Sequence, residues 1–149
     1  MKDLDIGYEI SPVSHTVTQE RINVYSRFVF GGRDLKNIHT DNETARRAGL
    51  PRTVAQGRYP LAYISEELLK LFGRGWFEGG RLSVALTKPI FADDTVTVKG
   101  VVKEKTIEGD ITRLVLDVWL ENQNGEKVIA GTASGLVYPK GEIDGRHGK

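Results

Sequence analysis

Residues 57–72, GRYPLAYISEELLKLF, form the longest apolar helical pattern in the chain. Pro60 is tolerated only in a first helical turn, where its missing N–H costs nothing, so the helix starts near Gln56 or Gly57. Leu61, Ile64, Leu68, Leu71 and Phe72 make an apolar stripe, and Ala62 and Leu69 widen it. The polar remainder is narrow: Glu66, Glu67 and Lys70, with Glu66 and Lys70 spaced for an i,i+4 pair. Gly73 ends the helix. A helix apolar over so much of its girth is expected to be enclosed on more than one side.

After Gly73 the period drops from 3.6 to 2. Residues 81–88 alternate up to Pro89, and residues 95–105 alternate through Val96, Val98 and Val102. Residues 111–121 follow through Leu114, Leu116, Val118 and Leu120, and residues 126–138 make a last strand. Phe91-Ala-Asp-Asp and Glu108-Gly-Asp are turns, and Asn122-Gln-Asn-Gly is a hairpin signal. Four successive antiparallel strands after one long helix predict an α+β domain with a sheet curled around that helix.

Upstream, Thr18 offers an N-cap to a helix of about ten residues carrying Ile22, Tyr25, Phe28 and Val29 at helical spacing. Tyr25 and Phe28 read as core. Gly31-Gly32 stops that helix. Residues 3–16 are an irregular or short-strand lead-in, and His15 in Ser14-His-Thr-Val-Thr reads as structural. Between the two helices, residues 31–41 show no period and form a loop. Asp41 or Asn42 caps a short helix over residues 43–48, Gly49 suits its C′ position, and Leu50-Pro51 stops it.

The 149 residues suit one domain, here residues 1–139, with a Gly-rich, charged tail over 140–149 expected to be mobile. Composition is that of a globular protein, 39% hydrophobic and 28% charged, with a net charge of +1. No basic block exceeds a pair, which points away from nucleic acid. There is no cysteine, so disulfides, zinc–thiolate sites and thiol nucleophiles are excluded. MKDLDIGYEI carries no signal-type apolar run and nothing approaches a membrane span, so a soluble, cytoplasmic protein is expected, away from the membrane.

Asp34 and His39, five residues apart, are the candidate chemistry. Histidine titrates near neutrality and a nearby carboxylate can orient or complement it, which makes a general acid/base pair. The plainer alternative is a loop in which Asp34 orders a turn and His39 is satisfied by backbone. There is no G-x-S-x-G, and His39 with Asp41 is too small a set for a metal, so none is expected. Gly57 is the second candidate. A helix N-terminus presents free N–H groups and a positive dipole end, and glycine admits close approach of a carbonyl oxygen gaining charge. Gln56, Arg58 and Tyr59 surround the spot and face either ligand or solvent.

Over residues 13–138 the chain resembles the MaoC-like dehydratases, the R-specific enoyl-CoA hydratases of the hot-dog fold. Their motif runs S-G-D-x-N-P-x-H-x-D, then a short helix ending in Gly, then I-A-H-G. Here it corresponds to Gly32-Arg-Asp-Leu-Lys-Asn-Ile-His-Thr-Asp41, Ala45, Gly49-Leu50 and Val54-Ala-Gln-Gly57. Lys88-Pro-Ile-Phe-Ala-Asp-Asp-Thr-Val-Thr-Val98 and the hairpin from Glu121 to Ala133 resemble later family segments. The resemblance implies reversible addition of water to a 2-enoyl-CoA thioester, giving a 3-hydroxyacyl thioester. It implies Asp34 and His39 as the catalytic pair, the Gly57 N–H on the thioester oxygen, and coenzyme A as part of the substrate with no further cofactor. It also implies a homodimer formed sheet edge to sheet edge. The family's Asn-Pro is Lys36-Asn37 here, its A-H-G histidine is Gln56, and Arg33 adds a charge beside the acid. Asn37, Gln56, Arg58 and Tyr59 are thereby candidate substrate contacts.

Two other readings are open to the same fold. A hot-dog acyl-CoA thioesterase would place its acid on or near the central helix, where Glu66 and Glu67 are expected on the polar face. A non-catalytic acyl-thioester-binding subunit would have no need of both Asp34 and His39.

Overall fold

The computed structural model describes residues 4–139; the tail over 140–149 lies outside the described residues. Five strands form one antiparallel sheet in the order β1-β3-β4-β5-β2. They are β1 (Val13–Thr16), β2 (Arg81–Leu86), β3 (Thr95–Glu108), β4 (Ile111–Glu121) and β5 (Lys127–Val137). The helices are α1 (Gln19–Val29), α2 (Asn42–Arg47), α3 (Arg58–Phe72) and α4 (Arg74–Gly79). With one long helix against one uneven antiparallel sheet, this is the α+β hot-dog arrangement, and the sheet does not close into a barrel.

The period-2 pattern sets the register. Val98 pairs with Leu120, and Leu116 with Val102 on one side and Ala133 on the other, so one apolar set faces the helix along three strands. Val96, Val98, Leu114, Leu116 and Leu120 are fully buried, and Ile64, Leu68 and Phe72 of α3 pack into the same core. Gly135 makes the close approach possible, because a Cβ there would stand 2.7 Å from the Phe72 ring. The turns behave as expected. Asn122 binds the N–H groups of Asn124 and Glu126 through its side chain, and Gly125 takes the left-handed conformation.

Three expectations are corrected. Phe28 is not core: it is 83% exposed, with Val24 and Val29 also exposed. Only Ile22 and Ser26 of α1 are buried, one turn apart, and Phe28 lies roughly 200° around the helix from Ser26. Tyr25 is half-buried and stacks on Tyr59 at 5.9 Å between ring centres. Second, α3 is covered along one face only. Pro60, Ile64, Leu68 and Phe72 are buried, whereas Ala62 and Leu69 are exposed. Glu67, expected on the polar face, is 9% exposed; its carboxylate accepts from Lys70 Nζ at 3.0 Å, and Lys70 also faces Glu66 at 3.7 Å. Third, Gly73 ends α3 as expected, but the segment after it is not a plain link to the next strand. It forms α4, held by the stacking of Trp76 on Phe72 at 6.1 Å and by Arg74 Nε donating to Glu78 at 2.6 Å.

His15 sits in β1 and stacks flat on Tyr63, with ring centres 3.8 Å apart. No helix among the described residues is long and apolar enough to cross a membrane.

Candidate active site

The 31–57 segment carries almost no regular structure, so its shape depends on individual hydrogen bonds. At the end of α1, Gly31 and Gly32 both take positive φ, +67° and +86°, and the Gly32 N–H donates to the Arg27 carbonyl at 2.7 Å. This turn folds the chain back along the helix it has left. Asp34 therefore meets α1, where Arg27 Nε donates to its Oδ1 at 2.8 Å. The pair lies at the rim: Arg27 is 51% and Asp34 85% exposed. Below it is a cleft of about 410 Å³ whose walls include Asn23, Ser26, Leu35 and Thr40. Arg33 Nε donates to the Phe30 carbonyl, and Lys36 stands 4.0 Å from Asp41.

Asn37 shapes the approach to the histidine. Its Oδ1 accepts from the His39 N–H at 2.8 Å, and its carbonyl accepts from the N–H groups of Thr40 and Asp41. Asp41 then caps α2, accepting from the Thr44 N–H and hydroxyl, and these two bonds hold its carboxyl below the ordinary carboxylate value.

His39 is fixed from two sides. Gln19 of α1 donates to its carbonyl at 2.8 Å, and its Nδ1 lies 2.8 Å from the Val54 carbonyl oxygen. A carbonyl can only accept, so Nδ1 carries a proton, and in the neutral ring Nε2 is the nitrogen with the lone pair. The ring is half-buried, with its orientation set by the Nδ1 bond. Residues 53–55 are themselves strung between the loop and the connection from β2 to β3. The Val54 N–H donates to the Ile38 carbonyl, the Ala55 N–H to the Ile90 carbonyl, and the Ala92 N–H to the Thr53 carbonyl.

Gly57 opens α3 in helical conformation, φ −59° and ψ −35°. No protein group among the described residues accepts from its N–H. Neither backbone nor packing demands glycine here, since a Cβ would meet only Leu86, at an ordinary 3.7 Å. Gln56 donates weakly from Nε2 to the Ile22 carbonyl at 3.5 Å, and its buried Oε1 has no partner. Arg58 is exposed. Tyr59 points away from the loop: its hydroxyl pairs with that of Tyr63 at 2.6 Å, beside an apolar groove of about 660 Å³ shared with Val24, Tyr25 and Phe28. Partial burial and the Tyr63 bond push its phenol well above the ordinary range.

The structure thus brings Asp34 to Arg27 and His39 to Val54, and no hydrogen bond among the described residues joins Asp34 to His39. Sequence reasoning did not find Arg27, Ser26, Gln19 or the Val54 carbonyl. Arg27 could have been found from a basic residue placed just before a Gly-Gly reversal and an acid just after it. A backbone carbonyl gives no side-chain signal at all.

A family model described as "MaoC like domain" matches residues 5–123. The chain belongs to the MaoC-like domain family. Solved structures share the fold. The MaoC-like dehydratase of Rhodospirillum rubrum is 22% identical with a TM-score of 0.73, over 92% of this chain and 94% of that one. The (R)-hydratase of A. caviae involved in PHA biosynthesis is 18% identical with a TM-score of 0.68, over 93% and 100%. A chain of the ChsH1-ChsH2 complex of Mycobacterium tuberculosis is 17% identical with a TM-score of 0.67, over 91% and 98%. No curated protein matches the chain.

Proposed function

We propose that this MaoC-like protein adds water reversibly across the double bond of a 2-enoyl-CoA thioester to give a 3-hydroxyacyl-CoA. The observation that carries the reading is the His39 ring, whose Nδ1–H is committed to the Val54 carbonyl and whose Nε2 is left as a base. His39 Nε2 takes a proton from water as the water oxygen bonds to C3, and Asp34 orients the molecule by accepting a hydrogen bond from its other O–H, which stays on as the product hydroxyl. Electrons from the double bond move onto the thioester oxygen, where the Gly57 N–H stabilises the enolate-like charge. The proton held on His39 passes to C2, so one water is consumed and no other reactant is needed. The glycine at 57, which the fold itself does not require, suits a ligand that approaches the helix mouth closely.

The protein is expected to act in the cytoplasm as a homodimer. Strand β2 pairs only with β5 among the described residues, and the outer edge of the sheet there ends at Leu86, which is exposed.

A spectrophotometric assay with crotonyl-CoA and longer or branched enoyl-CoAs tests the reading. Hydration lowers the absorbance of the conjugated thioester without releasing thiol. Release of thiol would make the protein a thioesterase, and an unchanged absorbance across the panel would favour a binding subunit.

A further inference from the structure

Ser26 is 2% exposed, lines the cleft beneath Asp34, and its Oγ makes no hydrogen bond. A serine inside a helix usually returns its hydroxyl to the carbonyl four residues back. That carbonyl, of Ile22, takes Gln56 Nε2 instead. A buried hydroxyl without a partner works against folding, so its presence calls for a partner supplied some of the time.

The cleft holds few acceptors. Asn23 Oδ1 accepts from Gln19, and the Thr40 hydroxyl bonds the Leu35 carbonyl and the Asn37 N–H; Asp41 keeps one unbonded oxygen, Oδ1, but its carboxylate is fixed as the cap of α2 by two bonds from Thr44 to Oδ2. The carboxylate of Asp34 uses only Oδ1, on Arg27, and Oδ2 is uncommitted. Ser26 and Arg27 are neighbours on α1, so the carboxylate has two donors along one helix, a charged one at the rim and a neutral one at depth. We propose that Ser26 is a positioning residue for Asp34: its hydroxyl takes Oδ2 when the carboxylate turns from Arg27 into the cleft.

This rests on the hydratase reading for its kinetic consequence, because that reading has the Asp34 carboxylate orient the water that His39 deprotonates. The rim ion pair is open to solvent and weakly held, so leaving it costs little. Once inside, a hydroxyl donating to a carboxylate forms a charge-assisted bond that fixes its orientation.

Ser26→Ala, Ser26→Thr and the double variant Ser26→Ala/Asp34→Asn test the proposal through melting temperature, kcat and KM. Ser26→Ala should melt at or slightly above the wild-type temperature, since it removes an unpaired buried hydroxyl and adds a better helix former. Its kcat should fall by about tenfold or more, with KM within about twofold. Ser26→Thr, which keeps the hydroxyl, should recover most of the rate. In the Asp34→Asn background the serine change should have no further effect. Unchanged kcat, a lowered melting temperature, or an equal loss in both backgrounds would overturn it.

If the wild-type protein hydrates no enoyl-CoA, the functional reading fails by itself, and a high-resolution crystal structure decides the contact. Electron density for Asp34 within about 3.2 Å of Ser26 Oγ, at full or partial occupancy, supports the proposal. Asp34 held on Arg27 alone, with Ser26 bonded to the Ile22 carbonyl, overturns it.

Discussion

The sheet and the 31–57 segment are built on opposite principles. In β3, β4 and β5 a repeating pattern does the work: any one of several Val or Leu residues can be exchanged for another apolar residue and the register still places an apolar side chain inward. In the 31–57 segment nothing repeats. The Gly31-Gly32 reversal, the Asn37 side chain and the Val54 carbonyl each act once, and each places a particular polar group. The first region tolerates substitution of type but not of volume; the second tolerates little of either. A loop of this kind is a poor contributor to stability and a good place for chemistry, because its polar atoms are held without being buried out of reach.

That contrast predicts how variants divide. The largest effects should come from Asp34→Asn and His39→Gln, each lowering kcat/KM by about 10²–10⁴-fold while the melting temperature barely moves. Near-normal turnover in either variant would remove that residue from the acid/base pair. Next is Leu116→Ala in the middle of β4, fully buried between Val102 and Ala133. It should cost about 2–5 kcal/mol in urea unfolding and leave kcat per folded molecule unchanged. A kinetic loss at constant fraction folded would mean that sheet and site are not separable.

Asn37→Ala should fall between the two classes. It removes one bond to the His39 N–H, for about 1 kcal/mol of stability, and frees the turn that presents the ring. A loss of kcat/KM larger than that stability change, measured together by urea titration and steady-state kinetics, is the expected outcome.

The smallest effect is a pH dependence at Asp41. The Thr44 hydroxyl and N–H lower its folded value below the ordinary 3.8. A depressed carboxyl contributes stability that is complete above the unfolded value and lost as pH falls through the folded one. The melting-temperature difference between wild type and Asp41→Asn should therefore be constant at neutral pH and change only below about pH 4. A difference that changes near pH 6 would point to another group.

Much of the fold was legible because it is periodic. The ends of β4 coincide with the alternation over residues 111–121, α3 begins at the turn that Pro60 requires, and Thr18 and Asp41 cap the helices they precede. Phe28 and Glu67 were misplaced for one reason. Helical spacing says which residues share a face, but the neighbour that covers a face is chosen by packing elsewhere in the chain. α4 was hidden because the four glycines of residues 73–80 lower the local helix propensity, and the Phe72–Trp76 contact that offsets them is a matter of packing.

By its order of residues alone, the chain determined an α+β domain, with Asp34 and His39 in the loop after α1 and Gly57 at the mouth of α3, since caps, stops and periods are local properties. Only the tertiary structure decided that His39 bonds a carbonyl fifteen residues away, that Asp34 meets Arg27, and that Ser26 lies beneath it unpartnered. Those relations depend on where the Gly31-Gly32 reversal sends the loop and on how residues 53–55 are anchored to the connection between β2 and β3. They are distances between segments, and no run of sequence contains them.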